Sequence, residues 1–145
     1  MKSEPDEVSI DDLAREGRVH WFGVRNYQAR NYMRDDMRIG DGVLFYHSSC
    51  AQPGVAGLAR VCSEAYPDET QFDTSSKYFD PKATRAAPRW FHVDVELVRK
   101  TRLLPLPELR EHPALSGMRL LQKGNRLSIT PVSAAEWKFI TRLLG

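Results

Sequence analysis

The stretch Trp90 to Lys100, WFHVDVELVRK, constrains the fold more than any other. Phe91, Val93, Val95 and Leu97 alternate with His92, Asp94 and Glu96, the period of two that defines a β-strand with one face toward a core. A chain built on such a strand needs a sheet, and two further segments supply it. Ile39 to Ser49 opens on a Gly-Asp-Gly turn and continues into the apolar run Val43, Leu44, Phe45, Tyr46, which reads as a buried strand ending at His47 and Ser48. After the Pro53-Gly54 turn, Val55 to Val61 reads as its antiparallel partner, with Gly57 marking a bulge or a close neighbour.

The remaining elements are short. Met1 to Asp6 looks like the end of a strand, because Pro5 pushes Glu4 toward extended backbone. Ser9 with Asp12 resembles a capping box, opening a helix through Ile10 and Leu13 that Gly17 stops. Asn26 is a suitable N-cap for a helix from Tyr27 toward Met37. Pro105 to Leu121 holds short helical pieces, Gly124-Asn125 is a turn, and Arg126 to Val132 reads as a strand demoted to an edge by Pro131. Ser133 and Glu136 form a capping box for a terminal helix whose Trp137, Ile140 and Leu144 make an apolar stripe.

About five or six strands in mixed order with short flanking helices predict an α+β domain on a small curved sheet or open barrel. With 145 residues and 41% hydrophobic content, the chain is expected to form one domain over residues 1–145. The glycines of IGDGV have neither dinucleotide-binding spacing nor a following helix, and no P-loop motif occurs. Single histidines and the lone Cys50 and Cys62 give no metal-ligand spacing, so neither a metal nor another cofactor is expected. With no signal peptide, no apolar run near the ~20 residues that span a membrane, and two free thiols, a cytoplasmic protein without membrane contact is expected.

Function is written most densely in Trp21 to Met33, WFGVRNYQARNYM. Flat rings interspersed with planar hydrogen-bonding groups are the mixture that stacks on and reads a nucleobase. The plainer reading puts Trp21 in the core and the arginines in water. Twenty-one basic against 19 acidic residues give no general attraction for nucleic acid, so any contact must be local. Ser63 to Arg89 has no sustained period but carries Tyr66, Phe72, Tyr78 and Phe79, and is expected to be a long loop forming one wall of a site or pinned to the core by its rings. A hydrolase assembled from Lys2, Ser3, Glu4, His47 and Ser48 is a second reading, and a protein-docking module with an aromatic loop a third.

The stretches MKSEPD, GVRNYQARNYMRD, GD followed by FYHSS, PGVAGLARV, YPD, YFDPK, PRWFHVDVELV and RLSITPVSAAEW resemble the EVE domain, the thymocyte nuclear protein family of the PUA-like superfamily, over essentially the whole chain. The resemblance implies a PUA-like pseudo-barrel and a non-catalytic module that reads a modified cytosine in nucleic acid, DNA before RNA, by flipping the base into an aromatic pocket. A PUA-like RNA-binding module and a small hydrolase of a modified nucleoside are the alternatives, and effector proteins are possible further partners. On this reading Trp21, Tyr27, Tyr78 and Trp90 wall the pocket; Ser3, Asn26 and the backbone around Gly23 and Val24 read the base edge; Tyr46, His47 and Ser48 complete it; and Arg25 borders it and holds a flanking phosphate. Lys2, Arg30 and Lys82 meet phosphates. The resemblance also implies a short apolar segment ahead of MKSEPD that supplies the first strand; either the recorded start at Met1 is internal or that strand is shortened, and the first is the expectation.

Overall fold

The computed structural model describes all residues from Met1 to Gly145. Its centre is an antiparallel pair, β4 (Gly54–Val61) against the twelve-residue β7 (Asp94–Pro105). β3 (Gly42–His47) pairs antiparallel with β4, and β2 (Arg18–His20) pairs antiparallel with β7. β1 (Lys2–Ser3) joins the far edge parallel to β3, giving the order β1-β3-β4-β7-β2. Register shifts along β4 at Gly57 and between Leu58 and Ala59 bend the pair, as bulges do, and curl the mixed sheet into a half-barrel.

Both faces of the sheet are covered, which explains the unbroken apolar run in β3. Val43 and Phe45 enter one core with Ile10, Leu13, Trp21 and Val95, whereas Leu44 and Tyr46 enter the other with Leu104, Leu109 and Ile140. Helix α1 (Ile10–Glu16) packs into the first core. A Cβ on Gly57 would lie 2.5 Å from the Ile10 side chain, so glycine there is what lets α1 approach the sheet. The second core is closed by α3 (Leu106–Arg110), two 3₁₀ turns and α4 (Ala134–Leu144). Trp137 packs partly buried against this core and over Gly42. No helix is long and apolar enough to cross a membrane.

The caps form as expected. Ser9 with Asp12, and Ser133 with Glu136, make reciprocal capping boxes, Gly17 closes α1 with φ +77°, and the Asn26 side chain accepts the Ala29 N–H at the start of α2 (Tyr27–Asn31). Three expectations are corrected. The helix expected from Tyr27 to Met37 is α-helical only to Asn31 and then widens into a π turn over Tyr32–Asp36.

Arg126 to Val132 forms no strand. Pro131 has no N–H for a ladder, and the segment runs beside β1 with one backbone bond, from the Lys2 N–H to the Ser128 carbonyl. The Trp90–Lys100 strand is interrupted at Val93: β6 (Phe91–His92) pairs separately with β5 (Tyr66–Pro67), and β7 begins at Asp94. His92 and Asp94, placed on the polar face by alternation, are buried at 4% and 2% exposure. Asp94 is tolerated there because its carboxylate accepts from Arg18, from the Tyr66 hydroxyl at 2.6 Å and faces His20 Nδ1 at 2.7 Å. Burial alone would raise that carboxyl; these partners hold it below the usual range.

Candidate nucleic-acid interface

A cleft of about 850 Å³ opens where the N-terminal segment, the stretch Val19–Asn26, the Ser48–Ser49 corner and the Lys77–Tyr78 tip of the long loop converge. Nine expected site residues border it: Lys2, Ser3, Trp21, Gly23, Val24, Arg25, Asn26, Ser48 and Tyr78. Its walls are set by one buried carboxylate.

Asp68, in the long loop, is 1% exposed and accepts four hydrogen bonds: from the Gly23 N–H at 2.8 Å, from the Thr70 N–H and hydroxyl at 2.9 and 2.5 Å, and from Arg25 Nη1 at 3.1 Å. Burial raises its pKa, but these donors outweigh burial and keep the carboxyl ionised well into acid. Arg25 passes the connection on. Its Nε and Nη2 both donate to the Tyr78 carbonyl, at 3.1 and 2.7 Å, and its guanidinium lies between the rings of Tyr78 and Trp90, 5.5 and 5.2 Å from their centroids. Tyr78 is thereby laid over Gly23, where a Cβ would sit 2.7 Å from the tyrosine ring. Gly23 also holds φ +82°, which disfavours any other residue.

Elsewhere along the cleft, hydrogen-bonding groups remain available. Asn26 uses its Oδ1 as the helix cap, leaving its amide hydrogens free of protein acceptors, and the N–H groups of Val24 and Arg25 likewise find no acceptor in the chain. Ser3 Oγ donates to the Val8 carbonyl at 2.7 Å and keeps its lone pairs. The floor is tied by the Ser48 N–H donating to the Ser3 carbonyl, and Ser49 stands beside it at φ 54°, strained backbone for a serine. Lys2, Lys77 and Arg126 supply positive charge around the cleft and Glu4 and Glu7 negative charge, Lys77 pairing with Glu7 at 3.2 Å.

The other expected site residues lie elsewhere. Tyr27 stacks on Trp90, centroids 4.8 Å apart at 20°, with the Arg30 guanidinium 4.6 Å from the Tyr27 ring centroid, and Trp90 is buried behind Arg25 with its Nε1 on Asp80. This stack buttresses the wall without lining the cleft. Arg30 donates to the Arg89 carbonyl and to Asn31. Tyr46 is buried in the second core. His47 Nε2 accepts the Ile10 N–H at 3.0 Å, and burial lowers its pKa, so the ring is a neutral structural acceptor rather than a partner of Ser3 or Ser48. Lys82 is exposed on the long loop. Trp21 borders the cleft yet is only 8% exposed, packed edge-on against Phe45 at 5.6 Å. Asp68, Phe22, Lys77 and Arg126 escaped sequence reasoning; the one local signal was Asp68 two residues before Thr70, the spacing of a side-chain-closed turn.

The half-barrel sheet with its helices is a PUA-like fold, and it matches the crystal structure of the DUF55 domain of human thymocyte nuclear protein 1 with a TM-score of 0.90 at 40% identity over 99% of this chain and 95% of that one. The EVE domain family model matches residues 1–143, and the chain belongs to the EVE domain family. A protein from Pseudomonas putida is 51% identical with a TM-score of 0.95, covering 99% of this chain and 96% of its own. Human thymocyte nuclear protein 1 is 41% identical over 99% of this chain and 72% of its own length. A crystal structure of human THYN1 protein in complex with 5-methylcytosine-containing DNA matches with a TM-score of 0.89 at 41% identity, over 99% of this chain and 94% of that one.

Proposed function

We propose that residues 1–145 act as one non-catalytic module that reads a modified cytosine in DNA, taking the extruded base into the Gly23–Tyr78 cleft. The observation that carries this reading is the cleft itself: a fixed aromatic face above a glycine, with unpartnered amide donors and a serine oxygen beside it. Such a set suits a base, whose flat face stacks and whose Watson–Crick edge must recover hydrogen bonds once its partner is gone. Likeness to the human protein seen with 5-methylcytosine DNA supports the choice of ligand.

In this mechanism Tyr78 stacks on the base, an interaction worth about 1–3 kcal/mol. Asn26, the N–H groups of Val24 and Arg25, and Ser3 meet the edge. Arg25 acts chiefly as the strut that fixes Tyr78, because all three guanidinium nitrogens are already engaged. A C5 methyl pressed on the apolar part of the wall adds about 0.8 kcal/mol. Lys2, Lys77 and Arg126 hold the flanking phosphates.

The test is an anisotropy titration with oligonucleotides carrying cytosine, 5-methylcytosine or 5-hydroxymethylcytosine, as DNA and as RNA, with Tyr78→Ala beside the wild type. Modification-dependent binding to DNA that the variant loses is the expected result. Equal, salt-sensitive binding to every DNA overturns it, and a preference for RNA moves the function to an RNA reader.

A further inference from the structure

Phe22 is the only exposed apolar ring among the residues that border the cleft, half of its surface facing solvent. It makes an edge contact with Tyr78, centroids 5.9 Å apart at 79°. Its mount is rigid: on one side the Trp21 N–H donates to the Val93 carbonyl at 3.0 Å, and on the other the Gly23 N–H donates to the buried Asp68 carboxylate at 2.8 Å. The flanking Trp21 and Val24 turn inward and are buried, so the outward ring is held at the cleft mouth with little freedom to fold away. Half of its surface still packs on the protein, so its role as scaffold is partial and the other half is left for contact outside the chain.

Extruding a base from a duplex leaves a gap in the stack and costs a few kcal/mol of unstacking. Proteins that distort duplexes fill such gaps with apolar wedges. We propose that Phe22 is the wedge of this protein, entering the duplex at the position the extruded nucleotide leaves; this rests on the base-reader function proposed above. Trp21–Gly23 would then divide the work by direction, with Gly23 and the overlying Tyr78 receiving the base and Phe22 replacing it.

The test compares a duplex containing one 5-methylcytosine paired to guanine with the same strand unpaired, each beside its unmodified counterpart, for the wild type, Phe22→Ala and Phe22→Trp. Because half of Phe22 is buried, Phe22→Ala should lower the thermal midpoint by a few degrees and stay folded, whereas Phe22→Trp should keep the wild-type midpoint. The wild type is expected to bind both modified forms; Phe22→Ala weakens the duplex complex by about tenfold or more and the single-strand complex by less than about threefold, and Phe22→Trp restores the duplex complex. Equal weakening of both complexes, or of neither, overturns the wedge. So does failure of the wild type to bind the modified single strand, since an unpaired base needs no wedge. Failure of the base-reader function is distinct: the wild type itself then treats modified and unmodified DNA alike, and the wedge falls with it.

Discussion

The molecule carries two hollows of nearly equal size. One is the Gly23–Tyr78 cleft of about 850 Å³; the other, about 830 Å³, lies between the β3–β4 pair and the C-terminal run from Ser128 to Trp137. Hydrophobic residues make up 17 of the 28 that line the second but 6 of the 19 that line the first, so volume does not separate them and chemistry does. The second is a seam between two packed layers, bordered by Leu44, Val55, Leu58 and Trp137. The first is held open by polar bonds that cross long stretches of sequence, with Asp68 bonded to Gly23 and Arg25 bonded to Tyr78. The second is maintained by packing, whereas the first has its walls fixed by side-chain hydrogen bonds, the preorganisation that the base-reader proposal requires.

The sharpest way to break that comparison is Asp68→Ala. Removing a buried charge that satisfies Arg25, Gly23 and Thr70 should cost about 3 kcal/mol or more in denaturant unfolding and abolish selective DNA binding. Unchanged stability would mean the carboxylate is not the anchor. Gly23→Ala and Gly42→Ala form the next pair, one in each hollow. The first meets the Tyr78 ring at a positive φ, the second the Trp137 ring at 2.5 Å, and each should lose about 1–2 kcal/mol. Only the first should also weaken modified-base binding, by about tenfold; equal binding by both variants would erase the distinction.

Acid should act next. His47 and His92 are held neutral by burial, with pKa values below the ordinary histidine range. The unfolded chain takes up these protons first, so the stability they confer is full above pH ~6.5 and declines as pH falls through that value toward their folded pKa values. Asp68 and Asp94, whose carboxyls are lowered by their donors, add a second loss as pH drops below ~4 through their folded values. A pH series of chemical denaturation checks both steps, and flat stability from pH 7 to 5 would contradict the first. The smallest effect concerns phosphates: Arg126→Ala should lower the slope of log K against log salt by about 1, while Lys82→Ala, outside the cleft, leaves it unchanged.

Local chemistry was legible in the sequence. The caps at Ser9, Asn26 and Ser133 follow from neighbours a few residues apart, and the β3–β4 pair from two apolar runs joined by a short turn. The resemblance to the EVE domain supplied the fold, and several residues of the ring- and amide-rich stretch Trp21–Asn31 come together along one cleft. What stayed hidden depended on distant partners. Alternation put His92 and Asp94 in water, because nothing near them announces that Arg18, His20 and Tyr66 would converge on that carboxylate. Composition gave Tyr27 and Trp90 the same standing as Tyr78, yet they stack on each other behind the wall. Asp68 lies 45 residues from Gly23, and no period in the sequence joins them.

The long loop leaves β4 after Val61 and the chain returns to β7 at Asp94, where the Cys62 N–H donates to the Asp94 carbonyl at 2.9 Å and Val61 faces Val95 in register. The two ends of this insertion are thus neighbours in the central ladder. Tyr78 and the carboxylate that anchors the cleft both belong to that insertion. One wall of the cleft is therefore carried by a segment whose two ends the sheet already holds together, so its residues can be varied between fixed anchor points.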